Sequence, residues 1–446
     1  MNTLQARLRN YAGKLIDGAR RLKMGLLDAW VFNAALLGRR PRRGDSLPGD
    51  GRGVVVMLVI SELWIDPRVR RAATALASAG YRVRIVYPDF FSELRKLGPM
   101  DWGPGIEFRP LEGSYAWFAN GFPWVLGKEY LRAVEEERPD VIHCHDLNTS
   151  IIGLAAAGKL GCHCICDFHE WFSENVSWDA QQKQYLPHPR LHKFVYWLSE
   201  LVVMHRATEV ITVCDSIAND LRTPRYLSKR PVHVIRNIPE TTRGDASCWP
   251  SVKKEVGVPE DTFVVLWQGG VGPTRLIEPI IESIGLIEDI VLVIRGPVIE
   301  RFQDEYLALA ERSGAGGRVF CVPPVPSEQV VAAARTADLG VWSLPNLSRN
   351  FYYSLPNKIF EYLGAGLPIV GANFPEARKI IEGYGVGLTF DPYDPRSIAD
   401  AIARISGDPE FAARCRANIA RANADLDVDA EWQKLVCLYD GLLGRN

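Results

Sequence analysis

The sequence predicts an α/β protein built from two facing Rossmann-like domains, each a doubly wound parallel sheet covered by helices. Its 446 residues exceed what one hydrophobic core usually serves. Short apolar runs rich in Val and Ile alternate with helical patterns, which is typical of parallel strands buried on both faces. The alternation stops and restarts once, after Asn237. We therefore expect a first domain over residues 51–238 and a second over 239–429, with a last amphipathic helix at 430–443.

The first domain opens with a βαβ pattern. A strand at Val54–Ile60 is followed by a helical pattern from Pro67 to Ala79 and by a second strand that ends at Asp89. Four further apolar runs predict strands with helices between most of them. These runs are Val141–His145, Cys162–Cys166, Val210–Cys214 and Val232–Ile235.

The second domain repeats this pattern with six apolar runs. The loop near Arg236–Arg243, which contains Pro239, is the expected hinge between the two sheets. The predicted strands are Phe263–Gln268, Ile290–Gly296, Arg318–Val322, Leu339–Leu344, Pro368–Ala372 and Gly387–Phe390.

Residues 1–50 precede the first strand and have a different character. The first 43 residues carry ten Lys or Arg against two Asp, and apolar residues recur at spacings of three and four from Leu4 to Trp30. This pattern predicts a basic amphipathic helix, followed by a linker from Pro41 to Gly53. Two interpretations stay open: residues 1–43 lie on an anionic membrane surface, or they pack on the protein itself or a partner.

The composition excludes several classes of function. The formal net charge of −1 gives no overall attraction to nucleic acid. Nine cysteines cannot all pair within the chain, which favours a reducing compartment. Since no apolar run is long enough to span a bilayer, we expect a cytoplasmic protein. If the basic segment binds lipid, the protein is peripheral at the inner face of the plasma membrane.

Polar residues gather at the carboxyl ends of the first domain's strands, where ligands bind in open parallel sheets. His145 and His169 end or follow neighbouring strands, and two imidazoles on one edge are candidates for positioning or exchanging a proton. The other residues that we expect on this side of the cleft, facing an acceptor, are Ser61, Asp146, Asp167 and Glu170.

The segment SLPNKIFEYLGAG, from Ser354 to Gly366, is the strongest local signal in the second domain. Ser354 is expected to cap a short helix, and Gly366 to end it. The N–H groups at the helix N-terminus, next to Asn357, and the Lys358 ammonium would attract a diphosphate, while Glu361 could accept ribose hydroxyls. Gly269 and Gly270 end another strand and allow close approach of a ligand, and Arg275 follows.

These motifs together resemble the retaining glycosyltransferases of family 4, over roughly Val54 to Leu443. The resemblance rests on the order of several motifs, which are DPRVRR, PDVIHCHDLNT, DFHEWFSE, ITVCDSIA, VIRNIPE, QGG, SLPNKIFEYLGAGLPIV and GVGLTFDPYDP. It implies a GT-B fold in which the second domain binds a nucleotide sugar, linked to UDP or GDP, and the first binds a saccharide or lipid-linked acceptor. It also implies that the last helix crosses back to the first domain.

The resemblance assigns roles to individual residues. Glu361 matches the second glutamate of the family's E-x7-E motif, which binds the ribose. Arg275 matches the basic residue that holds the diphosphate, and His145 the histidine beside the transferred sugar. Two positions depart from the pattern: Tyr353 stands where the first glutamate is expected, and Gly270 where an arginine is usual. These departures leave the sugar unassigned, and Lys358 is expected to supply the charge of the missing arginine.

Two clusters could suggest a metal, and the sequence disfavours both. Alternation along a strand would spread the sulfurs of Cys162, Cys164 and Cys166 along one face. The run Asp425, Asp427 and Asp429 precedes the last helix, where capping is expected. We therefore expect neither a metal nor a cofactor besides the nucleotide-sugar co-substrate. Two other functions stay open: a nucleotide-sugar 2-epimerase on the same scaffold, and a catalytically silent GT-B protein that binds a partner.

Overall fold

A computed structural model describes residues 31–38, 52–61, 63, 66–88, 100–111, 127–179, 184–228, 230–239, 251–326 and 329–444. The expected helix over residues 4–30 and most of the linker lie outside these ranges, as does Asp89. Within them, no helix is long and apolar enough to cross a membrane.

The first sheet contains seven parallel strands in the order β3-β2-β1-β4-β5-β8-β9. Five of the predicted strands lie here with shifted ends, and β4 has the predicted bounds. The sequence prediction missed β3, since its alternating polar residues at an edge of the sheet give no continuous apolar run. The strands are β1 (Val54–Leu58), β2 (Arg82–Pro88), β3 (Ile106–Leu111), β4 (Val141–His145), β5 (His163–Phe168), β8 (Glu209–Thr212) and β9 (Val232–Val234).

The second sheet contains six parallel strands in the order β12-β11-β10-β13-β14-β15. All six were predicted. The inner strands are buried on both faces and therefore continuously apolar, and the partly buried edge strands β12 and β15 keep short apolar runs. The strands are β10 (Phe263–Gln268), β11 (Ile290–Arg295), β12 (Val319–Val322), β13 (Leu339–Trp342), β14 (Ile369–Ala372) and β15 (Gly387–Phe390).

Helices cover both sheets and connect their strands. Those of the first half are α1 (31–37), α2 (Pro67–Ser78), α3 (Gly127–Glu137), α4 (Asp146–Leu160), α5 (Arg190–Arg206) and α6 (Asp215–Leu221). Those of the second half are α7 (Val252–Val256), α8 (Glu278–Ile284), α9 (Gln303–Arg312), α10 (Val330–Ala334), α11 (Arg349–Tyr352), α12 (Asn357–Ala365), α13 (Pro375–Ile381), α14 (Pro395–Ser406), α15 (Pro409–Asp425) and α16 (Val428–Leu442).

The last helix, α16, returns to the first sheet and packs against α2. Its apolar face, which includes Leu435 and Tyr439, joins the same buried cluster as Val55 and Met57 of β1. Asp427 caps this helix by accepting a hydrogen bond from the N–H of Ala430 at 2.7 Å. The capping role expected for the Asp425–Asp429 run is thus confirmed at Asp427.

Two features of the first half were not anticipated. An antiparallel hairpin, β6 (Val176–Asp179) and β7 (Gln184–Pro187), lies between β5 and α5. Within the basic N-terminal segment, one face of α1 packs on the domain: Val31 and Ala35 are buried in the core, whereas Leu36 and Leu37 on the same helix are exposed. This part of the segment therefore packs on its own domain.

Candidate active site

A cleft with a cavity of about 320 Å³ lies between the two sheets, at the carboxyl ends of their strands. Both halves of the chain contribute side chains to it, as expected for ligands of open parallel sheets. Asp66, Arg68, His169, Glu170, Val213, Ile217 and Asn237 line it from the first half, and Arg275, Trp342, Leu344, Asn350, Tyr353, Ser354, Leu355, Pro356 and Lys358 from the second.

Two cations pack over the glycine turn that follows β10. Gly269 adopts a positive φ of 115°, and a Cβ there would lie 2.8 Å from Nζ of Lys358. A Cβ at Gly270 would lie 3.0 Å from Nε of Arg275. The missing side chains thus make room for Lys358 and Arg275, and an arginine at Gly270 would compete with Arg275 for the same space.

The side chain of Lys358 lies in a half-buried environment next to an aromatic ring. Its Nζ lies 5.0 Å from the centroid of the Trp267 ring. Burial and the neighbouring Arg275 lower the pKa of Lys358 to about 8, although Glu361 acts in the opposite direction. Burial raises the pKa of Glu361, against the attraction of Lys358 and Arg71. Burial thus disfavours the charged forms of Lys358 and Arg275 in this part of the cleft, and an anionic ligand would favour them.

The helix of the SLPNKIFEYLGAG segment forms as predicted, but the predicted cap at Ser354 is wrong. Helix α12 begins at Asn357, and Pro356 occupies the capping position without a side-chain hydrogen bond. The hydroxyl of Ser354 instead donates to the carbonyl of Asn350 at 3.3 Å, which ties it to α11. Gly366 ends the helix in the left-handed conformation, with φ of 78°. The N–H groups of the first turn consequently have no side-chain cap.

On the first-domain side, Asp167 is the centre of a buried ionic cluster. Arg68 binds it in a bidentate manner, with nitrogen–oxygen distances of 3.0 and 2.7 Å, and also donates to the carbonyl of Ile235. Burial opposes ionisation of Asp167, yet Arg68, His143 and His169 hold its pKa well below the usual value. Asp167 is 1% exposed, so the structure places it beneath the surface of the cleft and not on it.

His145 and His169 lie in direct contact, as their positions on one sheet edge suggested. Nδ1 of His145 is 3.1 Å from Nε2 of His169, and Nδ1 of His169 is 3.5 Å from a carboxylate oxygen of Asp146. Burial disfavours the charged form of His169, but Asp146 and Asp167 raise its pKa to about 9. Burial and the neighbouring His143 and His169 lower the pKa of His145 well below its usual value.

The opposite pKa shifts of the two histidines favour one direction for the hydrogen bond between them. A protonated His169 donates from Nε2, so the neutral His145 accepts at Nδ1 and carries its own proton on Nε2. Nε2 of His145 is buried and has no hydrogen-bond partner in the described part of the chain. A buried donor without a partner costs free energy, which a ligand oxygen would recover.

The other expected acceptor-side residues have different surroundings. Asp146 is held at a positive φ of 66°, and its carboxylate also accepts from the N–H of His169 at 2.9 Å. Glu170 lines the cavity, and burial raises its pKa. Ser61 is exposed and donates at 2.6 Å to Asp66, a cavity-lining residue that also caps α2. Ser61 therefore contacts the cavity wall only through its hydrogen bond to Asp66.

Tyr353, which replaces the expected glutamate, contacts the first domain. Its ring stacks on that of Trp171, with centroids 6.1 Å apart and planes at 6°. Its backbone carbonyl lies 3.4 Å from Sγ of Cys214, and the N–H of Trp171 donates to Asn350 at 2.8 Å. Burial and the nearby Asp220 raise the pKa of the Tyr353 hydroxyl. The residue therefore lines the cavity and joins the two domains.

The cysteines lie on the opposite face of the first sheet from the histidines. Sγ of Cys164 is 3.9 Å from that of Cys144 and 4.0 Å from that of Cys166, so Cys144 takes the place expected of Cys162 in this group. A Cβ on Gly153 of α4 would overlap the sulfur of Cys144, which shows how closely the helix covers them. Burial raises the pKa of the Cys144 thiol well above its usual value.

Sequence reasoning missed Arg68 and Asn237 as members of the site. Arg68 lies on α2 in the DPRVRR motif, and an arginine on the apolar face of a helix was the available signal. Asn237 lines the cavity and accepts a hydrogen bond from Arg71 at 2.7 Å. No sequence pattern connects Arg68 with Asn237. Both belong to contacts between α2 and the residues that follow β9, which are far apart in the sequence.

The fold and the cleft define a glycosyltransferase of the GT-B class. The glycosyl transferase 4-like domain matches residues 65–237, and the domain of the glycosyl transferases group 1 matches residues 250–422. The chain belongs to family 4 of the glycosyltransferases, and the resemblance read from the sequence is confirmed.

Curated relatives carry the same activity class. The D-inositol 3-phosphate glycosyltransferase of Nocardioides sp. is 24% identical over 334 residues, which cover 70% of each chain. That of Thermomonospora curvata is 24% identical over 200 residues, 42% of this chain and 45% of the relative. The chain thus spans less than half the length of the latter.

Solved structures share the fold at low identity. Sucrose-phosphate synthase from Thermosynechococcus elongatus has a TM-score of 0.68 and 17% identity, covering 88% of this chain and 100% of that one. Anabaena HepE in complex with UDP and glucose has a TM-score of 0.63 and 16% identity, covering 86% and 98%.

Proposed function

We propose that this glycosyltransferase uses a nucleoside diphosphate sugar, linked to UDP or GDP, as its donor. The observation that carries the proposal is the convergence of Lys358 and Arg275 on the Gly269–Gly270 turn, beside the uncapped N-terminus of α12. A diphosphate is an anion that fits two cations and free N–H groups. Glu361, one turn after Lys358, accepts the ribose hydroxyls. The complexes of HepE with UDP make UDP-sugars the first donors to test.

In this proposal the acceptor is a saccharide or lipid-linked glycan, and the configuration at the sugar is retained. The protein works in the cytoplasm, at the inner face of the membrane, in cell-surface or exopolysaccharide synthesis. The family match favours sugar transfer over epimerisation or a silent binding role. Deuterium exchange at C2 of the donor sugar would instead reveal an epimerase.

Charge stabilisation supplies most of the proposed rate. Negative charge builds on the departing diphosphate while the sugar gains oxocarbenium character, so Arg275, Lys358 and the α12 N-terminus act more strongly as the bond breaks. Nε2–H of His145 donates to an oxygen of the sugar. The acceptor hydroxyl attacks the same face that the phosphate leaves, and the phosphate takes its proton.

The mechanism makes a prediction about covalent intermediates. Asp66 and Glu170 are carboxyl groups in the cavity wall, so each is a potential nucleophile. Rapid quench during turnover, followed by peptide mapping, is expected to detect no sugar bound to either. A glycosyl ester on one of them would replace same-face attack with a two-step mechanism.

Donor binding can be tested by thermal shift across a panel of nucleotide sugars, followed by donor turnover. A ligand at a hundred times its dissociation constant stabilises by about 2.7 kcal/mol. We expect Arg275→Ala and Glu361→Ala to lose both the shift and turnover. Arg312→Ala, at the exposed end of α9, is a matched control that keeps both. A shift that survives in Arg275→Ala and Glu361→Ala would place the donor elsewhere.

A further inference from the structure

Three large apolar side chains are exposed on the hairpin strand β7 and on the first turns of α5. Tyr185 on β7 is 38% exposed, and Leu191 and Phe194 on α5 are 66% and 53% exposed. Leu191 and Phe194 are three residues apart on a helix and therefore lie on one face. The centroid of the Phe194 ring lies 5.7 Å from that of Trp197, a partly buried residue that packs against the core. We call Tyr185, Arg190, Leu191, His192 and Phe194 the α5 surface.

The first half of α5 is more exposed than the second half. Each residue from Arg190 to Leu198 is exposed or half-buried, whereas Ser199 and Glu200 begin the buried part. Val195 and Tyr196 pack against the core and hold the helix in place. The apolar stripe is thus presented on a fixed helix.

The charged side chains that the stripe itself carries are basic. No Asp or Glu occurs from Gln184 to Ser199, and Arg190 and His192 are exposed. Lys193 binds Glu174 at 2.9 Å, and Arg225 binds the same carboxylate at 2.6 Å, so two cations share this anion. Apolar and aromatic side chains with a basic rim are the combination that binds at the interface of an anionic bilayer.

The segment between β5 and α5 connects the α5 surface to the cleft. Glu170 of this segment lines the cavity, and Trp171 stacks on Tyr353, which also lines it. Glu174 of the same segment is bound by Lys193 of α5 at 2.9 Å, so this part of the cleft wall is held against α5.

We propose that the α5 surface docks the protein on an anionic lipid bilayer, with Leu191 and Phe194 inserted among the lipids and Arg190 at the headgroups. Docking would place the cleft where a lipid-linked acceptor can enter it. That orientation rests on the proposed acceptor class, whereas docking itself does not. It adds a second lipid contact to the one considered for residues 1–43.

The test compares two double variants of the full chain on vesicles of equimolar phosphatidylcholine and phosphatidylglycerol. Leu191→Ser with Phe194→Ser is expected to weaken partitioning roughly tenfold, because two inserted apolar side chains are lost. The matched control, Leu286→Ser with Leu307→Ser, removes two exposed apolar side chains from the second domain and should partition like the wild type. Equal partitioning of both double variants would overturn the proposal.

Amide hydrogen exchange locates the contact independently of residues 1–30. On vesicles, peptides covering 184–198 should exchange more slowly than in their absence, and peptides from α9 should not change. Unchanged exchange in 184–198 overturns the proposal. Light scattering that shows Leu191→Ser with Phe194→Ser converting a dimer to a monomer also overturns it, since the surface would then bind a second copy of the chain.

Two further measurements separate docking from the proposed reaction. The stripe variant should keep its thermal shift with the donor and its turnover with a water-soluble acceptor, and lose turnover only with acceptor embedded in vesicles. If vesicle binding is lost in the variant while the wild type turns over no nucleotide sugar, docking stands and the proposed function fails. If the variant binds vesicles as well as the wild type does, and the wild type transfers sugar normally, docking through the α5 surface fails and the proposed function stands.

Discussion

At the scale of single residues, the pKa of Lys358 connects the packing of the glycine turn to donor binding. Burial and Arg275 lower that pKa to about 8, so a growing share of the free protein lacks this charge as the pH rises through that value. Donor affinity should therefore fall from pH 7 to pH 9. A charge-assisted hydrogen bond contributes about 1.5–3 kcal/mol, so Lys358→Met should weaken binding roughly 10- to 100-fold at neutral pH.

Calorimetric titration of the nucleoside diphosphate against pH measures both effects. Lys358→Met should show a flatter pH profile, and Lys254→Met, an exposed lysine on α7, should match the wild type. An unchanged profile in Lys358→Met would show that the pH dependence arises from another group.

His169 makes the stability of the protein depend on pH in the neutral range. Its pKa is raised from 6.5 to about 9 in the folded protein. The stability gained from its protonated form is therefore complete below the unfolded pKa and is lost as the pH rises through about 9. His169→Gln, which cannot titrate, lacks this contribution. The difference in free energy of unfolding between wild type and variant should shrink from pH 6 to pH 9.

Urea denaturation at several pH values tests this, because groups that titrate in both proteins cancel in the difference. Parallel stability profiles for wild type and His169→Gln would mean that folding does not raise the pKa of His169, so the imidazole would be mostly neutral above pH 7. The hydrogen bond to His145 would then run in the other direction.

At the scale of helices and strands, the sequence predicts what depends on local pattern. All strands of the second sheet were found, since the inner strands are buried on both faces and the edge strands β12 and β15 still carry short apolar runs. Strand β3 and the hairpin β6–β7 were missed, because their residues alternate or are partly exposed. The cap at Ser354 was wrong because a second short helix, α11, lies just upstream and binds its hydroxyl.

Helix α16 shows what local pattern cannot reveal. The hydroxyl of Tyr439 lies 2.8 Å from Nδ1 of His143, and the ring of Trp432 stacks at 5.5 Å on the Arg68 guanidinium. The C-terminal helix thus packs against the ionic cluster around Asp167. These contacts join residues about 300 positions apart, as with His143 and Tyr439. Spacing within the sequence carries no signal for them.

Tyr439→Phe tests the contribution of α16. The substitution leaves Nδ1 of the buried His143 without its partner, which should cost about 1–3 kcal/mol of stability. Chemical denaturation is the measurement. Cys437→Ala, at an exposed position on the same helix, is the control and should change stability little. A Tyr439→Phe protein as stable as the wild type would show that a water replaces the hydroxyl.

At the scale of the whole molecule, the two domains were predictable from chain length and from the alternation of apolar runs with helical patterns, and the GT-B arrangement from the family resemblance. The edge of each sheet that binds ligand follows from the parallel strands. The contacts between the domains were not predictable. Glu376 of α13 accepts from the N–H and the hydroxyl of Ser216 on α6. The local sequence around Ser216 does not predict contact with Glu376, because the two residues lie in different domains and 160 positions apart.

Tyr353 is the position where the sequence departs from its family and where the domains meet. Stacking of Tyr353 on Trp171, together with the hydrogen bond from Trp171 to Asn350, favours the contact between the two domains. Tyr353→Glu restores the family's residue but removes the stacking and puts a carboxylate near Asp220, whose charge already raises the pKa of Tyr353. We expect this variant to populate more open forms and to have a higher KM for the donor.

Tyr353→Phe keeps the ring and loses the hydroxyl, so it separates stacking from hydrogen bonding. Aromatic stacking contributes about 0.5–1.5 kcal/mol beyond area burial, which corresponds to a shift of several-fold in a closed-to-open equilibrium. Small-angle X-ray scattering should give a larger radius of gyration for Tyr353→Glu than for wild type and Tyr353→Phe. If Tyr353→Glu keeps the wild-type radius and turns over donor faster, the family glutamate works in this cleft, and the tyrosine acts on the sugar instead of on domain closure.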